Sequence, residues 1–133
     1  MSRGLINKNP GNIRNNHILF RGEVRPSKDK AFKQFESMVY GYRAIFKILK
    51  YYSNHYKINT IKWMISRWAP PYDGDNDTEA YIQFVCDKVG IGPNDLVDVD
   101  NKDMMVKFVS AISKVENGVD ADMDIIRESW DLV

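Results

Sequence analysis

The stretch Asp100-Asn101-Lys102-Asp103-Met104-Met105-Val106-Lys107-Phe108-Val109-Ser110-Ala111-Ile112-Ser113-Lys114-Val115-Glu116-Asn117-Gly118 decides the fold class. Met105, Phe108, Val109, Ile112 and Val115 return every three or four residues, which places them on one face of an α-helix. Asp100 or Asn101 stands where an N-cap is needed, and Gly118 where a left-handed closing residue belongs. The helix thus buries one face and carries an acid, Glu116, at its very end.

Outward from this helix the same period recurs. Asn76-Asp77-Thr78 open a helix that carries Tyr81, Ile82, Val85 and Val89 and ends at Gly90. Before it, Ile61, Met64, Ile65 and Trp68 follow the capping residue Asn59 until Pro70-Pro71 stops the helix. The longest helix begins at Ser37 and repeats Met38, Tyr42, Ile45, Phe46, Leu49 and Tyr52. A last short helix, Met123 to Trp130, follows an Asp-rich turn. Gly4 to Arg25 is rich in Asn, Gly and Arg without a helical period, which predicts loop and short strand. Ile18-Leu19-Phe20 and Ala31-Phe32-Lys33-Gln34-Phe35 read as a small irregular β-hairpin. No repeat or linker interrupts the chain, so the expectation is one α+β, mainly α, domain over residues 1–133.

The 133 residues, 44% hydrophobic and 28% charged, suffice for a buried core. A single Cys86 among apolar neighbours excludes an internal disulfide and a thiolate metal cluster. No run approaches a membrane span, and Met1-Ser2-Arg3-Gly4-Leu5-Ile6-Asn7 lacks the apolar core of a signal peptide. Net charge is +1 but divided: Met1–Pro70 holds fourteen Lys/Arg against three Asp/Glu (+11), and Pro71–Val133 five against fifteen (−10). Mutual neutralisation of the two halves is the favoured reading, and an acidic partner for the basic half the other.

His17 and His55 show no metal-ligand spacing and are expected as exposed polar residues, so no metal or cofactor is expected. Neither a Gly-x-Ser-x-Gly elbow nor a phosphate-binding Gly-rich loop is present. Asp73-Gly74-Asp75-Asn76-Asp77 imitates half a calcium loop, then places Thr78 and Phe84 where the turn glycine and the bidentate acid belong. It is expected as a solvated, helix-capping loop, with a weak cation site the lesser alternative.

Glu116 is the most informative acid. At a helix C-terminus its carboxylate meets unpaired carbonyls and the negative end of the helix dipole, both of which disfavour ionisation. A raised pKa is what a general acid needs to protonate a glycosidic oxygen near neutral pH. On spacing alone, an exposed polar residue in the last turn is the plainer reading.

Asn9-Pro10-Gly11-Asn12-Ile13-Arg14, Phe20-Arg21-Gly22, Phe32-Lys33-Gln34-Phe35-Glu36-Ser37, Gly41-Tyr42-Arg43-Ala44, Thr60-Ile61, Arg67-Trp68-Ala69-Pro70-Pro71 and Asn76-Asp77-Thr78 together resemble a family of small phage and prophage proteins. That family is lysozyme-like and often described only as virion structural proteins; the resemblance covers roughly Gly4 to Gly118. The same residues resemble, more distantly, flagellar-type glucosaminidases and soluble lytic transglycosylases. In those enzymes a helix ends in the catalytic Glu, an Asn-Pro-x-Gly-Ile-Lys type segment lines the sugar cleft, and a Phe-x-x-Phe/Tyr-x-Ser strand leads into the next helix. Asn9–Arg14 and Phe32–Ser37 match the second and third pieces in order, while the residues before Asn9 are too few for the Glu-bearing helix. Glu116-Asn117-Gly118 supplies that piece if the chain is circularly permuted, with its ends close in space.

The resemblance implies a lysozyme-like enzyme that cleaves peptidoglycan glycan strands, of lytic transglycosylase or muramidase/glucosaminidase type. Glu116 ranks first as its acid, Glu36 second and Glu23 third. A transglycosylase needs one carboxyl, whereas an inverting hydrolase needs a second to activate water. Asn9, Gly11, Asn12 and Ile13 are implied to bind N-acetyl groups, with a tight turn as the alternative. Tyr40, Tyr42 and Tyr81 either stack on sugars or pack in the core, the latter favoured for Tyr42 and Tyr81. Arg43 is expected to pair with an acid of the C-terminal half, and Trp68-Ala69-Pro70-Pro71 to end a helix and pack, with a cleft wall second. Location is expected in a virion, or in the bacterial cytoplasm before release to the cell wall. A non-catalytic module binding glycan or other virion proteins is the alternative. A nucleic-acid binder using Arg3, Lys8, Arg14, Arg21, Arg25, Lys28, Lys30 and Lys33 ranks lower, since no recognition motif accompanies that charge.

Overall fold

The computed structural model describes residues 1–74 and 76–133. It is mainly helical with one small antiparallel sheet: α1 Arg3–Ile6, β1 Glu23–Val24, β2 Gln34–Phe35, α2 Met38–Tyr56, α3 Ile61–Trp68, α4 Thr78–Val89, α5 Lys102–Asn117 and α6 Met123–Trp130. The α+β, mainly α, expectation holds. No helix among the described residues is long and apolar enough to cross a membrane.

The helical period of α5 buries Met105, Phe108, Val109 and Ile112 completely. Asn101 caps its start by accepting from the Met104 amide, and Gly118 closes its end with φ 74°, a backbone region where only glycine is unstrained. Around it, α2 contributes Tyr42, Ile45, Phe46 and Leu49 and packs on α5 and α6, while α4 packs on α3 and α5. Tyr42 and Ser113 share a buried hydrogen bond at 3.1 Å, so these two polar groups between α2 and α5 satisfy each other. The aromatic edge of Phe46 meets Trp130 of α6 at 5.3 Å.

Three local expectations are corrected. Asn59 is not the cap of α3: Thr60 is, its Oγ1 accepting from the Trp63 amide. Arg3–Ile6 forms a helical turn instead of loop, because Ser2 caps it and donates to Asn117 Oδ1 at 2.7 Å; a single turn is too short for a period to show. The first hairpin strand lies at Glu23–Val24, and Ile18 and Leu19 stay exposed at 50% and 67%. The reason is electrostatic. Glu23 must reach the fully buried Lys33, whose Nζ also donates to the Ile18 carbonyl at 2.8 Å, so residues 18–22 bend around the ammonium instead of pairing.

The favoured neutralisation of the two halves is carried by few direct contacts. Of nine ion pairs among the described residues, only Arg14–Asp73 and Lys50–Asp100 join them, both at 3.4 Å. His17 and His55 are exposed and Cys86 is buried.

Candidate active site

Glu116 and the Asn9–Arg14 segment, separated by about a hundred positions, meet. Asn12 Nδ2 donates to Glu116 Oε1 at 3.0 Å, and the Tyr81 hydroxyl donates to Oε2 at 3.0 Å. Both carboxylate oxygens are therefore held by neutral donors, one from the N-terminal loop and one from α4. Burial pushes the Glu116 carboxyl above its ordinary pKa, against the opposing pull of the Asn12 and Tyr81 hydrogen bonds. Burial and the adjacent carboxylate push the Tyr81 phenol well above its own ordinary value, so it stays a donor.

The loop that delivers Asn12 is locked from inside. Asn9, completely buried, donates through Nδ2 to the Ile13 and Lys33 carbonyls at 3.0 and 2.9 Å and accepts from the Ile13 amide at 3.0 Å. This corrects its expected role: Asn9 has spent its amide on the backbone and offers nothing to a sugar. Asn12 itself adopts φ +48°, one of the few non-glycine residues to do so, and its Oδ1 is buried without a partner. Behind it, Asn117 donates to the Pro10 and Ser113 carbonyls, fastening the end of α5 to the loop. The seam leaves no room for a side chain at Gly4, where a Cβ would come within 2.5 Å of Asn117 Oδ1 and 2.9 Å of Asn12 Oδ1.

Glu116 opens onto a cleft of about 860 Å³, within the range of ligand sites. Its lining includes Gly11, Asn12, Ile13 and Arg14 of the loop together with Trp68, Ala69 and Pro70. The Trp68–Pro71 and Asn76–Thr78 motifs fold as one unit. Thr78 Oγ1 donates to the Ala69 carbonyl at 2.6 Å, Asn76 Nδ2 to the Pro70 carbonyl at 3.2 Å, and Asp77 caps α4 through the Ala80 amide. This loop is both the helix stop and a wall of the cleft. Asp75, in the stretch resembling half a calcium loop, lies outside the described residues; among those described, no cluster of three or more His, Cys, Asp and Glu suited to a metal occurs.

Other expected site residues lie elsewhere. Glu23 is 2% exposed and bound to Lys33 Nζ at 3.0 Å and Arg25 Nε at 2.8 Å. Burial raises its pKa, but the hydrogen bonds from Arg25, the Phe20 amide and Lys33 outweigh this and lower it. Such a carboxylate does not hold a proton for catalysis. Glu36 is exposed and outside the cleft lining. Tyr40 covers Gly22 and carries Arg21 over its ring at 5.6 Å, and Arg43, expected to meet an acid, donates to the Leu132 carbonyl at 2.9 Å. Neither residue lines the cleft.

Sequence reasoning missed Tyr51 and Tyr56 and gave Asp73 and Arg67 no role in the cleft, which all four line. Asp73 is paired with Arg14 at 3.4 Å on the rim. Tyr51 and Tyr56 were visible as aromatics off the buried stripe of the longest helix, a signal that the search for core periodicity passes over.

No protein-family model matches the chain. It is 38% identical over 120 residues to Protein P5 of Pseudoalteromonas phage PM2, a match spanning 88% of this chain and 72% of that protein.

Proposed function

We propose, from the premise that this chain belongs to the family of Protein P5 of Pseudoalteromonas phage PM2, that it is a lysozyme-like phage enzyme cleaving the glycan strands of peptidoglycan. One observation carries the reading: a carboxyl with raised pKa, held by two neutral donors, at the wall of an open cleft. Protonated Glu116 gives its proton to the glycosidic oxygen as the bond to the anomeric carbon breaks. Tyr81 and Asn12 then hold the carboxylate left behind, and that carboxylate takes a proton back from the attacking hydroxyl. With Glu23 ion-paired and Glu36 outside the cleft, the arrangement favours the one-carboxyl route, in which a hydroxyl of the sugar itself closes on the anomeric carbon.

The proximity of Ser2, Pro10 and Asn117 supports the permuted order, since it brings the end of α5 to the segment that follows the catalytic helix in lytic transglycosylases. Zymography on purified sacculi tests the proposal, with wild type beside Glu116→Gln, Glu36→Gln and Asp73→Asn. Clearing is expected from wild type and Glu36→Gln and not from Glu116→Gln. Loss in Asp73→Asn would assign that residue as a second carboxyl and replace the one-carboxyl route by hydrolysis. No clearing by wild type overturns the proposal in favour of a non-catalytic virion module, and clearing by Glu116→Gln overturns the assigned acid.

A further inference from the structure

A row of exposed aromatic side chains runs outward from the cleft, whose wall includes Tyr51 and Tyr56. Trp63 is 57% exposed, Tyr51 49%, Tyr56 46% and Tyr72 89%. Exposed apolar rings of this size are costly in water, and grouped together they mark a contact surface. The rings are ordered against one another: Tyr51 stacks on His55 at 4.6 Å, and Tyr56 meets Tyr51 edge-on at 5.3 Å. The Arg67 guanidinium lies over Tyr56 at 4.4 Å and Tyr52 at 5.4 Å, which fixes a cation in the middle of the group.

Trp63 and Tyr72 line a second groove, of about 680 Å³, whose walls also include Tyr52 and Arg67. Tyr52 and Arg67 also line the cleft that holds Glu116, so the two depressions adjoin at that pair. A polymer occupying the cleft extends beyond the bond that is cut, and this groove is where the surface offers it further contact.

From these observations we infer that Trp63 and Tyr72, beside Arg67, form a distal glycan-binding subsite that takes additional N-acetylated hexosamine units of a strand seated at Glu116. Sugar rings present a flat face of C–H bonds that stacks on an aromatic ring, and their edges carry hydroxyl and acetamido acceptors. Arg67 supplies donors to those edges. Lys62, over the Trp63 ring at 5.2 Å, adds positive charge suited to the anionic stem peptides of the wall polymer. The platform extends the cleavage reading and rests on it for the direction of the strand.

Isothermal titration calorimetry of the full chain carrying Glu116→Gln, with N-acetylglucosamine trimer and hexamer as probes, tests the inference without turnover. The hexamer should bind about tenfold more tightly than the trimer. Adding Trp63→Ala and Tyr72→Ala together should abolish that advantage, with circular dichroism melting as the check on folding. Tyr72→Ala, at a position too exposed to carry packing, should by itself reduce hexamer affinity about threefold. Equal affinity for the two probes, no hexamer binding, or a length preference that survives the double substitution overturns the subsite. A wild-type protein that fails to clear sacculi but shows the hexamer preference overturns the cleavage reading and leaves the subsite standing.

Discussion

Glu23 and Glu116 are two carboxylates largely withdrawn from water in one small protein, and their surroundings give them opposite properties. Glu23 lies against a completely buried ammonium and a guanidinium and receives a backbone amide as well. Glu116 has only an amide and a phenol. Burial acts the same way on both, raising the pKa; the cations reverse it for Glu23, and neutral donors fail to reverse it for Glu116. The comparison teaches that burial alone does not make an acid. What matters is whether the fold supplies compensating charge, and here it does so in the hairpin and withholds it at the end of α5.

The largest expected effect belongs to Glu116→Gln, which removes the transferable proton while keeping the shape of the site. Release of soluble glycan from labelled sacculi should fall by about 10²–10⁴-fold while the variant still unfolds cooperatively and at no lower temperature than wild type. A smaller loss would place Glu116 with Glu23, as a structural group.

On the other side of the comparison, Lys33→Met strips Glu23 of its buried partner. A cost of about 3–5 kcal/mol in urea unfolding is expected, since it leaves a desolvated charge with less compensation. An effect below about 1 kcal/mol would show that the pair behaves as an exposed one.

The pH dependence of stability should separate the two residues by sign. The folded-state pKa of Glu116 is raised, so its stabilising contribution is complete below the ordinary glutamate value and is lost as pH rises through the raised one. Wild type should therefore lose melting temperature relative to Glu116→Gln across that interval. Glu23 is lowered, so its contribution is present above the ordinary value and is lost as pH falls through the lowered one. A constant difference between wild type and Glu116→Gln at all pH values would contradict the first half.

The smallest effect concerns the charged halves. With two exposed cross-half pairs at 3.4 Å, raising salt should change unfolding free energy by less than about 1 kcal/mol. A larger change would mean that long-range attraction between the halves holds the ends of the chain together.

The long helices were legible because a face of Met105, Phe108, Val109 and Ile112 writes its period into the sequence, and Gly90 and Gly118 punctuate it. Met123–Trp130 was legible for the same reason. The hairpin was legible in its second strand and not in its first, since its register follows from Lys33 finding Glu23, a tertiary contact with no periodic trace. At the site, the juxtaposition of Glu116 with Asn12 was readable only through the resemblance and the permuted order it required. Asn9 shows the limit of a motif: the residue type matched, but its side chain satisfies backbone groups that a linear sequence does not reveal as buried. The exposed aromatics Tyr51, Tyr56, Trp63 and Tyr72 escaped because they lie off the buried helical stripes and come together only in the folded chain.

The most direct test of the contrast between the two acids is a ¹³C carboxyl NMR titration of the wild-type protein with both residues assigned. Glu116 should titrate above the ordinary glutamate range and Glu23 below it, with Glu116 moving higher still in Asn12→Ala, which removes one of the hydrogen bonds that lower it. Glu116 titrating at or below Glu23 would contradict the account, because the residue assigned to carry the proton would then be ionised before the one assigned to the ion pair.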